Sequence, residues 1–270
     1  MPLPSTIAID GPVASGKSTV GKRLADKLGY LFFDTGVMYR AVTCLALREL
    51  GAADLGGAAA VTALAERVQI DIQPPTVDDG RDSTVLVADP RRGMEGEDIT
   101  WAIRGKEVES NVSLVAAMPA VRRCLTGQMR RIGLRGQVVM VGRDVGTVIL
   151  PEADLKVFLT ASVEARARRR FQEEQARGGG RTYEDILANL RERDQIDSSR
   201  ALAPLRAADD AIHLDTTDLD LPGVVAAIEA LVEARGRNGT EGTGGTDGAG
   251  GTEGTGRTGG TEGTGGTEGT

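Results

Sequence analysis

The chain has 270 residues, a formal net charge of -7 and 40% hydrophobic residues, enough for one sizeable core with a smaller insertion. The acidic balance argues against a general nucleic-acid-binding surface, and no apolar run is long enough to suggest a membrane span or a secretory leader. Two cysteines and one histidine argue against a disulfide framework, a Cys-rich metal site and chemistry that needs a histidine base. We therefore expect a cytoplasmic protein with neither nucleic acid nor a membrane as its partner.

Strand-like and helix-like segments alternate along most of the chain, which predicts an α/β fold around a parallel sheet. An apolar run, a glycine-rich turn and an amphipathic helix over 17–28 open this pattern. The predicted strands are 6–10, 31–33, 138–141, 155–159 and 211–214, and we expect the last three to be fully buried.

Three stretches depart from the alternation. Between about 51 and 100, Pro74-Pro75 and Asp78-Asp-Gly80 interrupt two strand-like runs at 68–72 and 84–87, which predicts a small β-containing insertion. Gly178-Gly-Gly180 separates an arginine-rich helix from a helix near 183–194, which suggests a hinge or a mobile flap. From about 237 the sequence repeats Gly, Thr and Glu, which is typical of a disordered tail, with a partner-binding segment as the alternative.

The first glycine-rich turn carries a phosphate-binding motif. Gly11-Pro-Val-Ala-Ser-Gly-Lys-Ser18 matches G-x-x-x-x-G-K-[ST] between a strand and a helix, which is the context that this motif requires. The glycines allow a turn whose N–H groups cradle phosphates, Lys17 can bridge the β and γ phosphates of ATP, and the Ser18 hydroxyl can hold Mg²⁺. The predicted ATP site comprises Gly11, Pro12, Val13, Ala14, Ser15, Gly16, Lys17, Ser18 and Thr19.

A P-loop identifies the donor nucleotide and leaves the reaction open. The base-reading motif Asn/Thr-Lys-x-Asp of GTPases is absent from the sequence. The apolar run at 138–141 is followed by Gly142-Arg143-Asp144, whereas motor and transporter ATPases usually have Asp-Glu at that point. These features favour a small-molecule kinase.

A second motif suits the phosphoryl acceptor. Asp34-Thr-Gly-Val-Met-Tyr-Arg40 follows the second strand and offers a hydroxyl, an aromatic ring and an arginine to a monophosphate. It resembles the Asp-(Ser/Thr)-Gly-x-x-Tyr-Arg motif of bacterial cytidylate kinases. The resemblance continues through Gly142-Arg-Asp-Val-Gly-Thr-Val148, Val157-Phe-Leu-Thr-Ala-Ser162 and Arg191-Glu-Arg-Asp194, and it covers about residues 5 to 235.

The resemblance implies three groups of CMP contacts. They are Thr35, Tyr39, Arg40, Arg143 and Arg193 at the phosphate, Ser113, Arg122 and Asp144 at the cytosine, and Asp197 and Arg200 at the ribose. Cytosine offers acceptors at O2 and N3 and a donor at N4, which an arginine and a carboxylate can read, whereas uracil reverses N3 and position 4. The implied catalytic residues are Lys17, Arg40, Arg143 and Arg193.

One position departs from the family pattern. Many relatives carry an acidic residue immediately before Gly-Arg-Asp, and this chain has Val141, so a metal-side carboxylate is missing there. Asp34 and Asp10, both expected near strand ends by the cradle, are the other candidates.

The arginine-rich helix and the glycines after it suggest a basic flap that closes over the transferring phosphates. Its members are Arg166, Arg168, Arg169, Arg170, Arg177 and Arg181, of which Arg169 is predicted to contact ATP. The alternative is a solvated helix face paired with Glu164, Glu173 and Glu174.

These observations predict an α/β P-loop kinase core, with a five-stranded parallel sheet flanked by helices, at 1–35 and 106–236. A nucleotide-binding insertion at 36–105, a lid at about 171–185 and a disordered tail at 237–270 complete the prediction. The expected reaction converts ATP and CMP to ADP and CDP with Mg²⁺ as cofactor, in pyrimidine nucleotide metabolism, with dCMP as a second acceptor and the chain as a monomer. The alternatives are another small P-loop kinase, acting on UMP, a sugar or a coenzyme precursor, and a nucleotide sensor that binds ATP without turnover.

Overall fold

The computed structural model describes residues 3–200 and 202–238. The strands are β1 (Thr6–Asp10), β2 (Leu31–Asp34), β3 (Gln69–Gln73), β4 (Thr84–Asp89), β5 (Met94–Asp98), β6 (Val138–Gly142), β7 (Leu155–Thr160) and β8 (Ile212–Asp215). The α-helices are α1 (Lys17–Leu28), α2 (Gly36–Leu50), α3 (Ala58–Arg67), α4 (Lys106–Ala116), α5 (Pro119–Gly133), α6 (Val163–Ala176), α7 (Tyr183–Ser199) and α8 (Leu221–Asn238). Of the predicted tail, residues 239–270 lie outside the described residues. No helix in the described part is long and apolar enough to cross a membrane.

The central sheet has five parallel strands in the order β2-β6-β1-β7-β8, which confirms the predicted fold class. Side chains alternate between two apolar cores, as the pleat of a strand requires. Ile9 and Val141 face α1 and α8, whereas Ala8 and Met140 belong to the other core with α2 and α5. Burial on both faces explains why these strands are continuous apolar runs.

The prediction that the last strand is fully buried is wrong. Among the strands that the structure describes, β8 lies at the edge of the sheet and pairs only with β7. Ile212 is 41% exposed and His213 is also exposed, with its ring 5.6 Å from that of Phe158. A short apolar run does not distinguish an edge strand from a central strand.

The inserted region forms an antiparallel sheet in the order β3-β4-β5. The sequence indicates two of these strands and misses β5, whose Met-Glu-Gly-Glu-Asp sequence lacks apolar alternation and is largely exposed. Ile70 of β3 and Val85 of β4 share one apolar cluster with residues of α2 and α5. The insertion therefore packs directly against the helices on one face of the central sheet.

Helices α6 and α7 form a hairpin beside the P-loop. The turn between them ends at Thr182, whose Oγ1 accepts a hydrogen bond from the Asp185 backbone N–H at 3.1 Å, while the Asp185 carboxylate accepts from the Thr182 backbone N–H at 3.3 Å. This reciprocal capping box fixes the start of α7. The predicted lid at 171–185 corresponds to the tip of this hairpin.

Candidate active site

The P-loop joins β1 to α1 at the carboxyl edge of the sheet, between the ends of β6 and β7. Gly11 has φ +156°, and a Cβ atom at this position would lie 2.3 Å from the Leu159 carbonyl oxygen. Only glycine lets the loop leave β1 this close to β7. Helix α1 begins at Lys17, so its free first-turn N–H groups and its positive dipole end lie at the loop. This arrangement is an anion cradle.

Two polar groups of the cradle are suited to a bound anion. Lys17 Nζ donates to the Pro12 carbonyl oxygen at 2.9 Å. Burial, and second the charge of Arg143, lowers the pKa of Lys17 to about 8, so an incoming anion would stabilise the ammonium form. The Ser15 hydroxyl is buried and has no hydrogen-bond partner among the described residues, which leaves it free for a ligand oxygen.

Ser18, the second residue of α1, contacts the end of β2. Ser18 Oγ donates to Asp34 Oδ2 at 2.9 Å, and Asp34 Oδ1 accepts from the Gly36 N–H at 2.9 Å. Asp34 pairs in register with Val141, so the two side chains leave the sheet on the same face. The carboxylate nearest the Ser18 hydroxyl therefore comes from β2, next to the strand end occupied by Val141.

Asp10, a candidate metal-side carboxylate from the sequence, bonds to backbone N–H groups of the protein. Its Oδ1 accepts from the Val145 N–H at 2.8 Å and its Oδ2 from the Gly146 N–H at 2.7 Å. Burial raises the pKa of Asp10 to about 6, although these two hydrogen bonds oppose the shift. Through these two bonds Asp10 fastens the π-helical segment Val145–Ile149 to the start of the P-loop.

Three arginines gather around one carboxylate near the cradle. Arg143 Nε donates to Asp197 Oδ2 at 2.5 Å, and Arg200 forms an ion pair with Asp197 Oδ1. Arg193 has no hydrogen-bond or ion-pair partner among the described residues, and burial followed by the charge of Arg143 lowers its pKa. Three guanidinium groups against one carboxylate leave an excess of positive charge, which suits a phosphate.

A buried ion pair lies between α5 and the end of β6. Arg122 Nη2 donates to Asp144 Oδ2 at 2.7 Å, and both residues are more than nine-tenths buried. Arg122 Nε is buried and has no partner among the described residues. The Tyr39 ring lies 5.4 Å from the Arg122 guanidinium, and burial raises the pKa of Asp144 even with Arg122 beside it. Such a pair, with unused donors and acceptors, suits a flat polar ring.

Three other residues that were predicted to contact ATP or CMP bond to protein atoms, and a fourth is exposed. The Thr35 hydroxyl donates to the Val141 carbonyl oxygen at 3.1 Å, and Arg40 Nη1 donates to the Ile103 carbonyl oxygen at 3.4 Å. Ser113 is exposed on α4, and its hydroxyl makes no hydrogen bond with the described residues. Arg169 donates from Nη1 to Thr216 Oγ1 at 3.1 Å and from Nη2 to the Leu219 carbonyl oxygen at 3.2 Å, so it ties α6 to the segment after β8.

Arg166, which the sequence predicts in a basic flap over the transferring phosphates, is instead buried and bonded to protein atoms. Its side chain is 4% exposed and donates to both carboxylate oxygens of Asp194, at 3.0 and 2.5 Å. No side-chain contact of Asp194 is predicted from the sequence, because this contact joins two helices across 28 positions of the chain. Helical spacing in α6 predicts only the local pairs with glutamates.

The sheet, the P-loop and the arginine cluster together define a P-loop kinase with a small phosphorylated acceptor. The cytidylate kinase family model matches residues 7–234. A cytidylate kinase of Herpetosiphon aurantiacus is 50% identical over 232 residues, covering 86% of this chain and 96% of that protein. A cytidylate kinase of Chloroflexus aggregans is 53% identical over 198 residues, covering 73% and 82%. A third, of Bacillus velezensis, is 44% identical over 232 residues, covering 86% and 98%.

The chain belongs to the cytidylate kinase family. It is a kinase that phosphorylates CMP with ATP, which confirms the activity predicted from the sequence.

Proposed function

We propose that the ATP triphosphate binds in the cradle at 11–19, that cytosine binds at the Arg122–Asp144 pair, and that the CMP phosphate lies at the arginine cluster between them. The observation that carries this proposal is the buried Arg122–Asp144 pair. Arg122 Nε has no hydrogen-bond partner among the described residues, and a buried polar atom without a partner is costly unless a ligand bonds to it. Release of ADP with CMP, dCMP or UMP as acceptor tests the assignment.

Arg122 and Asp144 have the polarity that distinguishes cytosine from uracil. Asp144 Oδ2 is held by Arg122, while Oδ1 makes no hydrogen bond with the described residues and can accept from the cytosine amino group. The free Arg122 Nε can donate to a ring acceptor. Uracil would place a carbonyl oxygen against the Asp144 carboxylate, which is repulsive.

The transfer step needs positioning and charge more than a base. A CMP phosphate oxygen is already an anion at neutral pH and can attack the γ phosphorus of ATP in line, which breaks the bond from that phosphorus to the β–γ bridging oxygen and releases ADP. Arg143 and Arg193 would bring the two anions together, and Lys17 would stabilise the charge on the transferring group. Arg40, in the first part of α2, would join these arginines at the phosphate after releasing its 3.4 Å hydrogen bond to the Ile103 carbonyl oxygen.

The proposed ribose contact supports dCMP as a second acceptor. Both oxygens of Asp197 are engaged, one with Arg143 and the other with Arg200. A ribose 2′-hydroxyl would bond to groups that already have partners, so its absence would leave neither oxygen of Asp197 unpaired. Loss of the hydroxyl removes one hydrogen bond to a charged group, at the lower end of the usual range at roughly 1.5 kcal/mol, because Asp197 keeps its pairs with Arg143 and Arg200 and no buried charge is left unpaired.

The residues around Ser18 fit a Mg²⁺ ion bound with ATP. In P-loop kinases the ion is held by the P-loop hydroxyl and a nearby carboxylate, and it neutralises charge on the β and γ phosphates. The hydroxyl of Ser18 and the carboxylate of Asp34 are hard oxygen donors, 2.9 Å apart. Val141, at the end of the strand beside β1, cannot supply the carboxylate. We therefore propose that Ser18 would hold the ion and that Asp34 positions the Ser18 hydroxyl.

Replacing Asp34 by asparagine should raise the Mg²⁺ concentration needed for ATP binding by about ten- to a hundredfold, because a lost supporting carboxylate weakens metal affinity to that extent. Calorimetric titration of ATP at varied Mg²⁺ measures this without turnover. Asp26→Asn is the control, since Asp26 is an exposed carboxylate on α1 whose one ion-pair partner within residues 3–200 and 202–238 is Lys22.

The position of the carboxylate can be tested by moving it. We expect Val141→Asp to restore part of the Mg²⁺ dependence when added to Asp34→Asn, because residues 34 and 141 are register neighbours on one face. Unchanged Mg²⁺ dependence in Asp34→Asn, with a normal melting temperature, would remove Asp34 from the metal site.

The remaining parts of the proposal follow from this arrangement. One chain supplies both the donor and the acceptor groups, which supports a monomer as the active unit. The insertion at 36–105 would form the acceptor side and the tip of the α6–α7 hairpin the lid. A cytoplasmic location would give access to both nucleotides.

A further inference from the structure

A buried ion pair joins the two helices of the hairpin directly outside the P-loop. Arg166 of α6 donates through Nη1 and Nη2 to Oδ1 and Oδ2 of Asp194 in α7. The Arg166 side chain is 4% exposed and that of Asp194 is 27% exposed. A bidentate pair of this kind fixes both the distance between α6 and α7 and their relative orientation at this point.

The same guanidinium also contacts the phosphate cradle. Arg166 Nη1 donates to the Val13 carbonyl oxygen at 3.1 Å, and Nε donates to the Ala161 carbonyl oxygen at 3.1 Å. Val13 lies within the P-loop, next to Ala14, which has φ +60°. Because all three guanidinium nitrogens are engaged with protein, Arg166 is placed to hold the loop rather than to bind a nucleotide.

Apolar packing reinforces this contact. Val13 and Ala14 pack against a small cluster of buried hairpin residues, which consists of Ala167, Ile186 and Leu190. An alanine in the left-handed region is unfavourable by about 1–2 kcal/mol and persists only where the surroundings impose it. The hairpin therefore supports the outer side of the P-loop through both polar and apolar contacts.

The ion pair also connects the donor and acceptor sides. Asp194 follows Arg193, whose unpaired guanidinium belongs to the proposed phosphate cluster. We propose that Arg166 and Asp194 are a positioning pair that holds the P-loop in its ATP-binding conformation from α7, the helix that also carries Arg193. This inference rests on the proposed binding of ATP in the cradle.

Arg166→Lys tests the pair, since lysine keeps the charge but cannot bond Asp194 in bidentate fashion and reach Val13 at once. We expect the KM and the calorimetric Kd for ATP to rise about ten- to a hundredfold, with a much smaller change in KM for CMP. Asp194→Asn should change ATP binding in the same direction. It also keeps the inference testable if Arg166→Lys does not fold.

The matched control is the Glu164–Arg191 pair, which joins the same two helices at 3.1 Å but is exposed, with side chains 46% and 60% accessible. Arg191→Lys should leave both KM values unchanged. Unchanged ATP binding in folded Arg166→Lys and Asp194→Asn, or equal losses for ATP and CMP accompanied by a lower melting temperature, would overturn the inference. Failure of the parent protein to bind ATP would instead refute the proposed function.

Discussion

Lys17→Ala is expected to lower kcat for CMP phosphorylation by at least about 10²–10³, which is the usual cost of removing one preorganised charge from a transition state. Lys17 is the ammonium group of the cradle, and burial with the neighbouring Arg143 already lowers its pKa to about 8. Removing a partly desolvated cation should not weaken the fold. Steady-state kinetics and thermal melting of the same preparation measure both effects.

Lys22→Ala is the control for this variant. Lys22 lies in α1, but it pairs with Asp26 and not with the cradle. It should keep near-normal kcat and lose little stability, since such surface pairs contribute about 0.3–0.5 kcal/mol. A folded Lys17→Ala enzyme with near-normal turnover would remove the P-loop lysine from the mechanism.

Asp144→Asn should reduce kcat/KM for CMP by about ten- to a hundredfold, because the cytosine amino group would lose a charged acceptor worth about 1.5–3 kcal/mol. The kcat/KM for UMP should fall much less or rise, since the asparagine amide can donate to the uracil carbonyl. Parallel kinetics with both acceptors measure the change in selectivity.

Asparagine is preferred to alanine at this position. Asp144 is the ion-pair partner of the buried Arg122, and alanine would leave that guanidinium with a cavity beside it. Melting temperatures check that the asparagine variant remains folded. Equal losses for CMP and UMP would mean that Asp144 serves the phosphate or the metal, and the specificity argument would be wrong.

Local patterns in the sequence were enough for the elements around the P-loop. β1 and α1 begin and end at the predicted residues, because a continuous apolar run, a glycine-rich turn and helical periodicity coincide there. β5 could not be found in the same way, since its polar sequence is stabilised by pairing with β4. The exposure of β8 depends on its place at the sheet edge, which local sequence does not encode.

In the site, too, some features could be predicted from the sequence and others depend on packing between distant segments. The P-loop motif singled out Lys17, and the family resemblance singled out Arg122, Asp144 and the arginines near Asp197. The contacts of Arg122 with Asp144 and of Arg143 with Asp197 make the proposed roles specific. The bonds from Arg166 to Val13 and from Ser18 to Asp34 join segments that are distant in the chain or on different elements. Such contacts arise from packing of the sheet and the hairpin, so residue spacing alone could not reveal them.

The central claim is tested most directly by coupled measurement of ADP release with ATP, Mg²⁺ and each common nucleoside monophosphate. We expect kcat/KM for CMP to exceed that for UMP by at least about tenfold, as one misplaced buried hydrogen bond predicts. AMP and GMP should be poorer still, and dCMP should lie within about tenfold of CMP. A preference for UMP or a purine nucleotide, or ATP binding without ADP release on any acceptor, would contradict the account.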